Sequence, residues 1–427
     1  MRRILCVGMP FGIFFKDFSA ALVAAGCDVK RVVFDAGDFV STPKGHRLVY
    51  RGNEAGWPRF IETILRRYKI DGVITFNDAH FREAGALMAA ERLGIHRYVL
   101  EHGYLRPHWI TFERDGVNAD SKLPRAIEFY RNQRIAAPLD AQFEFRLRGV
   151  VVNTIAHFVL AIAGSPFLRY NSCYYGDSLR QQARGYIFEA IRRLSRTRHR
   201  ELMDIEALRA PEAKVFLCLL QKPGDVQLVK HSRFEGNVPF IREVIQSFAS
   251  SAPGNARLII KQHPLDYGKE GCDKLVFHLA EELGIVSQVA FVRNISIENM
   301  MPFIDGAVTI NSTAGLACIM AGKSVKSLGR AIYNFEGLTF QKPLDEFWHE
   351  ALPPLTSDVA SFVNYLKATS QINGGFESNA ARKVLIPLLV DAIKQDTLVW
   401  HPAPKTAPLG MAARIPADPV SVAKLSS

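Results

Sequence analysis

Three observations make the sequence an α/β protein of two Rossmann-like domains. Short β-rich runs alternate with helix-length stretches through the first hundred residues, the order of βαβ units and a parallel sheet. A second such series opens near Lys214. Small turns rich in glycine, proline or hydroxyl residues follow several of the apolar runs, and in a doubly wound sheet the carboxyl ends of the strands are where ligands sit. The 427 residues also exceed what one core usually serves.

In the first half, strands are predicted from Arg3 to Val7, Val29 to Phe34, Gly72 to Phe76 and Arg97 to Leu100. Helices are predicted from Phe15 to Ala25, Ile61 to Tyr68 and Phe81 to Leu93. The second half places strands at Val215 to Leu220, Ala256 to Lys261, Val289 to Arg293, Ala307 to Asn311 and Ser324 to Leu328. The expected divisions are an N-terminal Rossmann-like domain over 1–134, an insertion over 135–205, and a second Rossmann-like domain over 206–355. Helices over 356–400 are expected to pack back on the first domain, before a disordered tail over 401–427 rich in proline and without a period.

The insertion has a character of its own. Val150 to Ala163 is almost continuously apolar, but Asn153 and His157 interrupt it, and it falls short of the ~20 residues needed to span a bilayer. Downstream, Arg180, Arg184, Arg192, Arg193, Arg196, Arg198 and Arg200 face a single acid, Glu189, with Tyr186, Ile187, Ala190, Ile191 and Leu194 at helical spacing. Such a helix suits the anionic headgroups of a membrane surface; a solvated charged face is the equal alternative. The net charge of +11 admits nucleic acid, an anionic membrane or an anionic substrate. No nucleic-acid motif accompanies it, so no nucleic-acid partner is expected.

Six cysteines lie scattered without a CxxC pair, several inside apolar runs, and read as free thiols of a reducing compartment rather than a zinc site or a disulfide framework. After Met1-Arg2-Arg3 the apolar run to Gly8 is too short for a signal-peptide core. The expected location is therefore cytoplasmic.

Five elements fall at strand-to-helix junctions. Gly8 to Gly12 would let backbone approach a ligand, but it is no GxGxxG fingerprint, which disfavours a bound dinucleotide. Glu101 heads Glu101-His102-Gly103-Tyr104-Leu105-Arg106-Pro107 directly after an apolar run, where partial desolvation raises a carboxyl pKa as a general acid or base requires. In Gln221-Lys222-Pro223-Gly224-Asp225 the Pro-Gly pair forces a turn that presents Asp225. His263-Pro264 ends the run Arg257 to Gln262, and proline, which cannot extend a strand ladder, turns the chain and holds the imidazole at the sheet rim. Asn311-Ser312-Thr313-Ala314-Gly315 offers hydroxyls and amides at a helix start, an anion site. Each alone reads equally as a cap or a turn. Three of them at successive rims of one half describe a phosphate site with a carboxylate beside it.

Glu101 to Pro107 and Asn311 to Gly315, with Thr111-Phe112-Glu113, Gly116-Val117-Asn118, Lys261-Gln262-His263-Pro264-Leu265-Asp266, Ala331-Ile332-Tyr333, Phe347-Trp348 and Gln371-Ile372-Asn373-Gly374, resemble the bacterial capsule polysaccharide synthesis family of the KpsS/LipA type. The resemblance extends to about Phe376. It implies a GT-B-like fold, two Rossmann-like domains facing a crevice with a membrane-facing helical insertion, and retaining β-Kdo transfer from CMP-Kdo to a (lyso)phosphatidylglycerol acceptor at the inner membrane. Carried over residue by residue, Asp225 would be the nucleophile, Glu101 the acid/base with Glu113 as the alternative, and His263 the phosphate ligand. Pro264, Gln221, Asn311, Ser312, Thr313 and Gly315 would line the nucleotide. Gly8, Gly12, Asn77, Asp78, Tyr104 and Arg106 would face the acceptor crevice. Around Asp225 only Gln221 and Asp225 match the family motif well, and Ala79-His80-Phe81-Arg82 depart from the usual order after Asn77-Asp78. The resemblance implies no cofactor and no metal, with CMP-Kdo as donor substrate and other capsule synthesis or export components as partners. A protein of another class, a non-catalytic export or scaffold protein binding lipid-linked polysaccharide, would keep the basic face without needing Glu101, Asp225 and His263 at the rims.

Overall fold

The structure, a computed structural model, describes residues 2–9, 12–133, 135, 140–143, 159–160, 185, 213–266 and 268–395. The arginines of the basic stretch, nearly all of the apolar run before it, and the tail lie outside these residues, so most of the insertion expected to face a membrane does too. Twelve strands are described: β1 (Arg3–Val7), β2 (Asp28–Val33), β3 (Arg47–Val49), β4 (Gly72–Phe76), β5 (His96–His102), β6 (Trp109–Arg114), β7 (Val215–Leu219), β8 (Arg257–Lys261), β9 (Val289–Val292), β10 (Gly306–Thr309), β11 (Ser324–Ser327) and β12 (Gln371–Asn373). They form a seven-stranded sheet in the order β12-β6-β5-β4-β1-β2-β3 and a five-stranded sheet in the order β11-β10-β7-β8-β9. The chain divides accordingly into two compact units. One draws on Met1–Leu123, Gln133–Ser172 and Val363–Ser427, the other on Pro124–Asn132 and Cys173–Phe362.

In the first unit the central strands are buried on both faces, which is why β1 reads as an unbroken apolar run rather than an alternation. Ile4 and Cys6 point to one side, against Phe14, Phe15 and Phe18 of the helix Gly12–Ala24 and Leu385 and Leu389 of the helix Asn379–Gln395. Leu5 and Val7 point to the other, against Trp57, Ile61 and Leu65 of the helix Trp57–Arg67 and Ala86 and Ala90 of the helix Phe81–Arg92. The second sheet is parallel throughout. Phe216 and Cys218 of β7 pack with Ile241, Val244 and Phe248 of the helix Asn237–Ser251, and Trp348 closes the cluster with its indole N–H donated to Ser247 Oγ at 2.9 Å.

In the first sheet β1 to β5 pair parallel, as the first hundred residues predict, but its far edge corrects a wholly parallel reading. β6 pairs antiparallel with β5, and β12 antiparallel with β6. Only Gly103 to His108 separate β5 from β6, and a parallel crossover needs a dozen or more residues. The turn demands glycine, because a Cβ at Gly103 would lie 2.2 Å from the Trp109 carbonyl oxygen. A second correction follows: β5 runs on to His102, so Glu101 stands within the strand, opposite Thr111, rather than after its end.

Cys6, Cys27, Cys218, Cys272 and Cys318 are free and buried, as the scattered spacing predicts. Burial pushes the thiols of Cys6, Cys272 and Cys318 up to about 12. Among the described residues no helix is long and apolar enough to cross a membrane.

Candidate active site

The second unit brings three of the predicted turns to the carboxyl ends of adjacent strands, Asn311 after β10, Gln221 to Asp225 after β7, and His263 after β8. The middle turn is closed by Asp225 N–H donating to the Lys222 carbonyl at 3.1 Å, with Gly224 at φ 76°. Proline second and a left-handed glycine third suit a type II turn. Asp225 is half-buried, and its carbonyl accepts the amide of Leu228 in the helix Val226–His231.

His263 begins another four-residue turn, with Pro264 second, Leu265 third without a left-handed φ, and the Asp266 amide returning to the His263 carbonyl at 3.0 Å. The Leu265 amide donates to His263 Nδ1 at 3.1 Å. In the neutral ring that leaves the proton on Nε2, so the imidazole is a donor on its far side. Asp266, buried, anchors the following loop by accepting from Gly268 N at 2.8 Å.

Ser312 caps the helix Thr313–Met320, its hydroxyl accepting from Ala314 N at 3.2 Å, while the buried Tyr333 hydroxyl donates to the Ser312 carbonyl. Gly315 is required there, since a Cβ would come within 2.3 Å of the Tyr333 hydroxyl. The Ser312 side chain thus serves as the cap, with the backbone of the turn set above β10.

Sequence reasoning missed what holds these rims together. Asn237, wholly buried at the start of its helix, accepts the Gln221 amide at 3.0 Å and donates to the Gln221 carbonyl at 2.8 Å, as a neighbouring strand would. The same Nδ2 reaches Glu270 Oε2 at 3.0 Å, and Gln221 Nε2 donates to Asn311 Oδ1 at 2.5 Å. A relay therefore runs from Glu270 through Asn237 and Gln221 to the next rim. Polar residues at a helix start read as caps, so no local signal separates Asn237 from one. Asn237→Ala strands two buried backbone groups and is expected to cost about 2 kcal/mol or more; Asn237→Asp keeps the acceptor, loses the donor and sets a second carboxylate against Glu270. Urea unfolding of both variants checks this, and a loss under 0.5 kcal/mol, roughly the scale of a neutral surface change, would contradict the relay.

In the first unit the strand alternation puts Val99, Glu101, Thr111 and Glu113 on one face of the β5–β6 pair and Tyr98, Leu100, Ile110 and Phe112 on the core face. Glu101 is half-buried, and its Oε2 accepts from Asn118 Nδ2 at 3.1 Å. Glu113 is buried and accepts from the Ser121 hydroxyl. Tyr104 bridges the two neighbourhoods: its oxygen accepts from Asn118 N at 2.7 Å and its hydroxyl bonds Glu113. Burial, with the charges of Glu113 and Glu101 adding, raises the phenol well above its usual range.

The remaining residues expected to face the acceptor follow β4, β5 and β1 at the rim of the same unit. Asn77, left-handed at φ 60°, accepts the amide of Ala79 at 3.2 Å, and buried Asp78 accepts the Val117 amide at 3.0 Å. Arg106 donates to the Gly103 carbonyl at 3.3 Å. Gly8 is left-handed at φ 68°, and a Cβ on Gly12 would meet Ser41 Cβ at 2.7 Å; Pro10 and Phe11 between them lie outside the described residues.

His102, next along β5, stands edge-on to Phe76 and Phe376 at 5.5 and 5.6 Å between ring centres. Burial, helped by the Arg106 charge, pushes its imidazole down to about 3. Unfolded, it titrates near 6.5. Between these values the unfolded chain binds a proton that the folded chain refuses, so stability falls as pH drops below about 6.5 and gains no slope from this group above it. His102→Gln is expected to flatten the fall of the urea midpoint between about pH 6.5 and 5; an unchanged slope would assign it to other groups.

The match to known proteins is broad. The family model described as capsule polysaccharide biosynthesis protein covers residues 71–376. The chain belongs to this capsule polysaccharide biosynthesis family. Within it, the chain is 30% identical over 397 residues to the capsule polysaccharide modification protein LipB of Neisseria meningitidis serogroup B, spanning 88% of this chain and 92% of LipB. It is 29% identical over 377 residues to the capsule polysaccharide export protein KpsS of Escherichia coli, spanning 87% and 96%. Among solved structures, the Thermosulfurimonas dismutans KpsC beta Kdo 2,7 transferase aligns at 12% identity with a TM-score of 0.41, over 84% of this chain and 89% of that one.

Proposed function

We propose that this capsule biosynthesis protein is a retaining glycosyltransferase that moves Kdo from CMP-Kdo, to start or extend a Kdo linker on a (lyso)phosphatidylglycerol acceptor. The observation that carries the reading is the row of turns bearing Asn311, Asp225 and His263 on consecutive strand ends, with His263 offering an Nε2 proton. The donor already carries an activated glycosyl-phosphate bond. Asp225 attacks the anomeric carbon and that bond breaks, giving a glycosyl-enzyme and CMP. The charge on the departing phosphate is met by His263 and the backbone of the Asn311 to Gly315 turn, so the step calls for no divalent metal. The acceptor hydroxyl then gives its proton to Glu101 and displaces Asp225, and two inversions restore the configuration. Glu101 is preferred to Glu113 because Glu113 is buried and engaged by Ser121 and Tyr104. The arginines from Arg180 to Arg200 would hold the protein on the anionic inner face of the membrane, where the acceptor lies.

The test is to incubate purified protein with CMP-Kdo and lyso-phosphatidylglycerol in anionic liposomes, reading CMP release and the mass of the glycolipid. Transfer should slow as salt screens the basic stretch. Absence of both products would favour the export reading, which the name of the KpsS relative suggests.

A further inference from the structure

Beside the row of turns, at the edge strand β11, the second unit holds a cavity of about 560 Å3 whose lining includes Lys230, Ser232, Arg233, Gly329, Arg330 and Asn334. Among the described residues three cations line it and no carboxylate does. Its floor is the chain leaving β11, laid against the end of β10 by Leu328 N to Thr309 O at 2.8 Å and Gly329 N to Ile310 O at 2.9 Å, one residue before Asn311. Glycine is needed at 329, where a Cβ would meet the Ile310 carbonyl oxygen at 2.9 Å. Asn334 Nδ2 donates to the carbonyls of Gly329, at 2.8 Å, and Ser327, at 3.3 Å. Two acceptors of the wall are thereby occupied.

The cations are held in place. Arg330 donates its amide to the His231 carbonyl at 2.9 Å and its guanidinium to the Lys230 carbonyl at 3.2 Å, tying the floor to the helix that follows Asp225. Arg233 is paired with Glu243 and lies over the Phe234 ring at 4.4 Å. With Arg233 paired to Glu243, Lys230 and Arg330 add two further basic side chains to the lining, and a positive local potential of this kind favours an anion. A concave site with a few convergent polar groups is what ligand recognition requires.

We propose that this cavity is a second anion subsite, taking a carboxylate or phosphate group of a substrate other than the nucleotide phosphate assigned to His263. It rests in part on the glycosyltransferase reading, which supplies two such groups: the carboxylate of the donor sugar, a 2-ulosonic acid, and the phosphate of the acceptor lipid.

Binding of inorganic phosphate to the full chain, followed by calorimetry, tests the subsite without turnover. Lys230→Gln and Arg330→Gln should each weaken it about tenfold, the scale of one charge-assisted contact, with Arg330→Lys intermediate. Should Arg330→Gln fail to fold, Lys230→Gln and Arg233→Gln carry the test. Kinetics then separate the sources. A tenfold rise in KM for CMP-Kdo with unchanged inhibition by CMP assigns the donor carboxylate, and a rise in acceptor KM alone assigns the lipid phosphate. Phosphate affinity and both KM values within twofold of wild type in folded variants would overturn the subsite, as would an equal loss of CMP affinity. Weakened phosphate binding in variants of a protein that never turns over CMP-Kdo would leave the subsite standing and remove the proposed reaction.

Discussion

Asp225→Ala is expected to stop transfer while leaving CMP affinity within about twofold, because a nucleophile acts in the chemical step and adds little to ground-state binding. The change should be tolerated by the fold. The turn is closed by the Asp225 backbone amide on the Lys222 carbonyl, and its left-handed position is filled by Gly224, so neither feature depends on the carboxylate. Intact-mass analysis of wild-type protein with CMP-Kdo should show a sugar adduct mapping to Asp225. An adduct on another carboxylate would move the nucleophile and keep the retaining chemistry; wild-type turnover by Asp225→Ala would remove Asp225 from that role.

Glu101→Gln should lower turnover by ~100-fold or more, the range of general acid-base contributions. The amide keeps the shape of the side chain, and its oxygen can still accept from Asn118 Nδ2, so the rim built by Asn118 and Tyr104 should persist. Since the missing step is proton transfer, kcat should fall with acceptor KM little changed. Near-normal turnover at saturating acceptor would shift the role to Glu113. Against that outcome stands the setting of Glu113, whose removal would leave the Ser121 hydroxyl and Tyr104 without their shared acceptor and so report on folding first.

How far the sequence could be read depended on whether a structural device was local. β1 and β4 have the ends the apolar runs suggest, because strands buried on both faces are written as unbroken hydrophobic stretches. The turns at Asp225 and His263 were legible for the same reason: Pro-Gly and His-Pro carry their geometry in two residues. The antiparallel return of β6 was not, since it depends on how closely Gly103 approaches Trp109, a contact no window of periodicity contains. β12 escaped notice because it has three residues and finds its partner far back in the chain. Asn237 and Glu270 escaped because their function is relational, one clasping the backbone of Gln221 and the other steadying the clasp.

The first unit is completed by parts of the chain made after the second sheet. β12 closes its sheet, and Leu385 and Leu389 of the helix Asn379–Gln395 fill the core beside Phe14 and Phe18. On the ribosome, then, the opening βα units must wait with one apolar flank uncovered until the second sheet and the helix Asn379–Gln395 have emerged, whereas the second sheet, from β7 to β11, is synthesised in one stretch. Order of birth and order of maturation are reversed. Nascent chains halted between β11 and β12 should already shield the second sheet from protease while the first is still cut, and equal protection of both would show that the first flank finds temporary cover elsewhere.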